Sequence, residues 1–73
     1  MNNKTAQAIR TASGLTQGSV AAHIGVKQSQ LSHFERYGVP LPKQASMRLT
    51  RLLKKYESAL DEIVRTEPQE GRA

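Results

Sequence analysis

Gly25 is the ninth residue of a twenty-residue window, Gln17–Arg36, whose apolar side chains suit one geometry. Counted from Gln17, they occupy the fourth, eighth, tenth, fifteenth and eighteenth positions as Val20, Ile24, Val26, Leu31 and Phe34. Two short helices crossing at about 90–120° through a tight turn need a corner residue that tolerates left-handed backbone, and glycine does so without strain. Helices this close also require a small inward residue beside the crossing, which Ala21 supplies at the fifth position. The five apolar positions are those that face neighbouring helices. A glycine between two unrelated helices meets some of these requirements; this window meets all of them. It predicts helices over Gln17–Ile24 and from Gln28 to Arg36 or Tyr37, with Thr16 as N-cap of the first.

Breakers divide the rest of the chain. Ser13-Gly14 ends a segment, Asn3–Ala12, whose Ala6, Ile9 and Ala12 lie at helical spacing. Gly38-Val39-Pro40-Leu41-Pro42 is incompatible with regular helix, because proline biases the residue before it toward extended backbone. Lys43 to Arg65 contains neither Gly nor Pro, and Leu49, Leu53, Tyr56, Leu60 and Ile63 form a heptad-like stripe widened by Leu52 and Val64. One long helix accounts for this pattern, as does a shorter one with a break near Tyr56–Ser58. The polar residues 66–73, with Pro68 and Gly71, are expected to form a disordered tail. With no strand pattern in sight, the expected fold is all-α: a small four- to five-helix bundle with a central helix-turn-helix and a long C-terminal helix. Residues 1–65 make up its single domain.

Several classes of function are excluded at this point. A chain of 73 residues buries only about 60% of the surface its unfolded form exposes, so the core is small. Cysteine is absent, and His23 and His33 have no metal-ligand spacing, so no metal or cofactor is expected. No apolar run approaches a membrane span, and Met1-Asn2-Asn3-Lys4 lacks a signal-peptide hydrophobic region. There is no carboxylate pair, Ser–His–Asp set or Gly-rich phosphate loop, so an enzyme with a small-molecule substrate is not expected.

Charge is the positive clue. Eleven Lys and Arg stand against six Asp and Glu, a net charge of +5. Nine of the eleven bases but only one acid, Glu35, fall within residues 1–56; the other five acids lie in residues 57–73. So basic a body points to a polyanionic partner, nucleic acid before a membrane surface. Three aromatic residues are too few for a single-strand stacking platform, which favours duplex DNA.

The run Leu15 to Gly38, LTQGSVAAHIGVKQSQLSHFERYG, resembles the helix-turn-helix of the Cro and lambdoid-phage repressor family, over roughly residues 4–56. In that family a glutamine opens each of the two helices, matched here by Gln17 and Gln28. The resemblance implies that Gln17 contacts a phosphate and braces Gln28, and that Gln28 reads a base edge. It also implies a buried ion pair between Arg10 and Glu35, the latter being the lone acid of the basic body. After Gly38 the sequence departs from the family's succession of short helices. The fragment Gly25-Val-Lys-Gln-Ser-Gln-Leu-Ser followed by Pro40 also resembles phage CII-type activators.

A recognition helix starting at Gln28 presents Gln28, Ser29, Ser32 and His33 outward, with Lys27 at its lip. Gln28 can bond adenine N6 and N7 together. His33 touches a base, meets a phosphate when protonated, or is merely solvated. Gln17, Ser19, Arg36 and Lys43 are the candidate phosphate contacts, whereas Arg48, Arg51, Lys54 and Lys55 fit a solvated polar face. One such helix covers few base pairs, so two half-sites and a homodimer are expected, with Leu60, Ile63 and Val64 as the dimer contact. The expected function is that of a sequence-specific regulator of a bacterial cytoplasm, encoded by a phage or mobile element and repressing by promoter occupancy. A CII-type activator and an antitoxin-like autoregulator are the alternatives.

Overall fold

The computed structural model describes residues 1–66, with side chains as far as Ile63, and its described residues form four α-helices and no strand. These are α1 (Asn3–Ala12), α2 (Gln17–Ile24), α3 (Gln28–Tyr37) and α4 (Lys43–Thr66). The all-α expectation holds, with four helices. The long C-terminal segment is one helix with no break at Tyr56–Ser58. Residues 67–73, most of the expected tail, lie outside the described residues, as does the Val64 side chain.

Short-range hydrogen bonds set each boundary. Asn2 accepts from the Thr5 N–H at 2.7 Å and caps α1, a role the sequence reading did not assign. Thr16 accepts from the Ser19 N–H at 3.1 Å and caps α2. At the corner, Gly25 is left-handed (φ +82°), and the Val26 N–H reaches back to the Ala21 carbonyl at 3.0 Å. Lys27 begins α3, its N–H donating to Gln30 Oε1 at 3.0 Å. Pro42 ends the irregular link and accepts at its carbonyl from Ser46 N–H, 2.9 Å away, in the first turn of α4.

The helices pack crosswise. Both α1 and α2 lie against α3 and against α4. The core consists of Ala6, Ile9, Val20, Ala21, Ile24, Leu31, Ala45, Leu49 and Leu53, and Leu15, Val26, Phe34, Leu41, Leu52 and Tyr56 close around it. Ala12, spaced as a core residue, is exposed instead, because α1 ends there and its last turn overruns the neighbouring helices. Helix α4 has 24 residues and is therefore about 36 Å long, while its last core contact is Tyr56. The turns beyond Tyr56 lie past the core. Leu60 is half-buried there, and Ile63 is 56% exposed.

Candidate nucleic-acid interface

The angle of α3 is held by a polar cluster around Glu35, the one charged residue buried among the described ones. Arg10 of α1 grips its carboxylate with two donors, Nε to Oε2 at 2.6 Å and Nη2 to Oε1 at 3.0 Å. The third guanidinium nitrogen, Nη1, donates to the Leu15 carbonyl at 2.7 Å, between α1 and α2. Gln17 Nε2 adds a third bond to the carboxylate, reaching Oε1 at 2.9 Å. Asn3 Nδ2 donates to the Glu35 carbonyl at 3.0 Å. A planar guanidinium suits this two-point grip on a carboxylate, and the shared acceptor ties α1, α2 and α3 together.

The Gln17 bond corrects one implication of the family resemblance. Gln17 does not brace Gln28; its amide is turned inward to Glu35, which lies one helix crossing away and carries the stronger acceptor. Gln28 rests instead over Gly18, whose missing side chain leaves room for the carboxamide. Gly18 therefore belongs to the candidate site, although its position in the first turn of α2 was the only hint in the sequence.

Along α3 the inward residues are Leu31 and Glu35, with Phe34 half-buried between its neighbours. Lys27, Gln28, Ser29 and His33 are exposed and Ser32 is half-buried, so the candidate readout set shares the outward side of this helix. Gln30 is also exposed, but its carbonyl oxygen serves the cap at Lys27. Tyr37, which the sequence reading left without a role, is 71% exposed, and its ring lies 6.2 Å from that of His33. The two rings extend the outward face to the end of α3; their separation of four residues was the available signal.

The candidate phosphate contacts are spread over three elements. Gln17 and Ser19 open α2, Arg36 is exposed near the end of α3, and Lys43 is exposed at the start of α4. Gln17 is half-buried, with its amide nitrogen engaged by Glu35. No acidic residue occupies the first turn of any of the four helices, so their N-terminal dipoles are left open to an anion. On the other side of the turn, His23, Arg48, Arg51, Leu52 and Lys55 line an open cleft of about 320 Å³ that contains no carboxylate. Among the described residues no group of three potential metal ligands occurs, and no helix is long and apolar enough to cross a membrane.

Comparison with known proteins agrees with this geometry. A helix-turn-helix family model matches residues 7–63, which include the window, the Arg10–Glu35 cluster and most of α4. Neither the curated proteins nor the solved structures yielded a match. The match spans well over half of the chain, and the caps, crossing and core agree with it throughout: the chain belongs to the helix-turn-helix family of the Cro and XRE type, and is a DNA-binding transcription regulator.

Proposed function

We propose that this regulator represses transcription by occupying its operator as a homodimer, each α3 entering the major groove of one half-site. The outward side of α3 carries the reading: Lys27, Gln28, Ser29, Ser32 and His33 offer donors and acceptors to base edges, while Leu31 and Glu35 anchor the helix from behind. Gln17, Ser19, Arg36 and Lys43 supply the flanking phosphate contacts, which set affinity and carry little sequence information.

The dimer reading is supported by the end of α4, where Leu60 and Ile63 continue the apolar stripe past the core. A second copy of the same surface, Val64 included, is the occupant we assign to it. The resemblance to Cro-type repressors favours a phage or mobile-element origin and action at the bacterial nucleoid.

The test is selection of binding sites from randomised duplex DNA at about 100–150 mM salt, where nonspecific attraction is partly screened. An inverted repeat is expected, with half-site centres about one helical turn apart, and a promoter carrying that site should be silenced in a reporter strain. Direct repeats, or activation of the reporter, would replace repression with the activator reading.

A further inference from the structure

Gly18, the second residue of α2, is half-buried, and a Cβ built on it would stand 3.4 Å from Gln28 Oε1 and 3.9 Å from Gln28 Cδ. Its backbone is ordinary helix, since the left-handed glycines are Gly14, Gly25 and Gly38. Conformational freedom is therefore not what glycine contributes here, and in a helix it is a weaker residue than alanine. What it contributes is space. The Gln28 carboxamide occupies that space while remaining exposed, and among the described residues no hydrogen bond engages it.

An exposed glutamine ordinarily samples many rotamers, and ordering it on a base costs affinity and blurs discrimination. Contact with the first turn of α2 removes part of that freedom before DNA arrives. We propose that Gly18 is a specificity-determining residue: its bare backbone seats the Gln28 carboxamide so that this amide meets the base edge in one orientation. The inference rests on Gln28 being a base reader. Gly18 itself acts through Gln28 and is a positioning residue. The seat is one atom deep: an alanine methyl would reach contact distance, and the two methyls of valine would occupy the space.

The experiment compares sites selected from randomised duplex DNA by the wild-type chain, Gly18→Val, Gly18→Ala and Gln28→Ala, together with a thermal melt of each. Gly18→Val should melt no lower than wild type, because valine is the better helix residue. It should nevertheless lose about tenfold in discrimination at the base pair that Gln28→Ala also loses, other positions staying unchanged. Gly18→Ala should show the same loss more weakly, and it decides the matter if the valine variant proves unstable. A purely structural glycine would change the melt and leave the selected motif alone. If both Gly18 variants discriminate like wild type where Gln28→Ala does not, the seat is refuted and the base reader survives. If Gln28→Ala changes no position, Gln28 is no base reader and both claims fall. In the free protein, a nuclear Overhauser contact between the Gly18 α-protons and the Gln28 amide protons is expected, and its absence would also overturn the seat.

Discussion

Gln17 Nε2 donates to Glu35 Oε1 at 2.9 Å, joining the first residue of α2 to the buried carboxylate of the recognition helix. The same carboxylate is held by Arg10, so its three side-chain donors come from two other helices. Glu35→Ala would leave the Arg10 charge unpaired, its side chain being only 13% exposed, and should cost about 3–5 kcal/mol. Gln17→Ala removes one charge-assisted bond while Arg10 keeps its grip, and should cost about 1.5 kcal/mol. Thermal unfolding followed by circular dichroism checks the order of the two. A Glu35→Ala variant that melts like wild type yet fails to bind DNA would contradict the structural role.

Gly25→Ala should destabilise the domain by about 1–2 kcal/mol, because φ of +82° is a left-handed conformation that an L side chain resists. In so small a domain each kcal/mol shifts the melting temperature by roughly 4–8 °C. The new methyl would also stand 3.4 Å from Arg48 Nη1, but that flexible tip can move aside. An unchanged melting temperature would show that this corner tolerates other turns.

Lys43→Ala should weaken binding to every sequence alike and lower the slope of log affinity against log salt by about 1, since one phosphate contact releases about one counterion. Titrations of specific and scrambled duplexes at several salt concentrations give both quantities. A change in the selected motif, with the slope intact, would move Lys43 from the phosphate set to the readout set.

Replacing Leu60 and Ile63 together by serine should abolish the dimer and preserve the helical fold, because neither side chain belongs to the core or its closing shell. Sedimentation at micromolar concentration should give a dimer mass for the wild-type chain and a monomer mass for the double variant. A concentration-independent monomer for wild type would remove the dimer from the proposed function.

Leu53→Ala tests the other half of the same stripe. Leu53 is fully buried, so its truncation should cost about 2–5 kcal/mol, in contrast to the Leu60 and Ile63 pair. The contrast, read by thermal melts, locates where α4 stops serving the core.

What the amino-acid order determined by itself is what acts over a few residues. Thr16 caps α2 three residues ahead, Gly25 turns the chain where Ile24 ends it, and the prolines at 40 and 42 keep the link to α4 irregular. Each choice is settled by backbone sterics and one local hydrogen bond, so all four helix starts were legible in advance. The face of α3 was legible too, because its period places Leu31 and Glu35 on one side and Gln28, Ser29 and His33 on the other. Tertiary structure alone decided how the polar side chains pair. Gln17 has two acceptors within chemical reason, and only the crossing of α1, α2 and α3 brings the Arg10-bound carboxylate to its amide. The same crossing leaves Gln28 over the bare first turn of α2, a proximity no spacing along the chain encodes. Side-chain hydrogen bonds form over about 3 Å in space, whatever the separation in sequence, so they follow from the packing of helices that local rules build but do not orient.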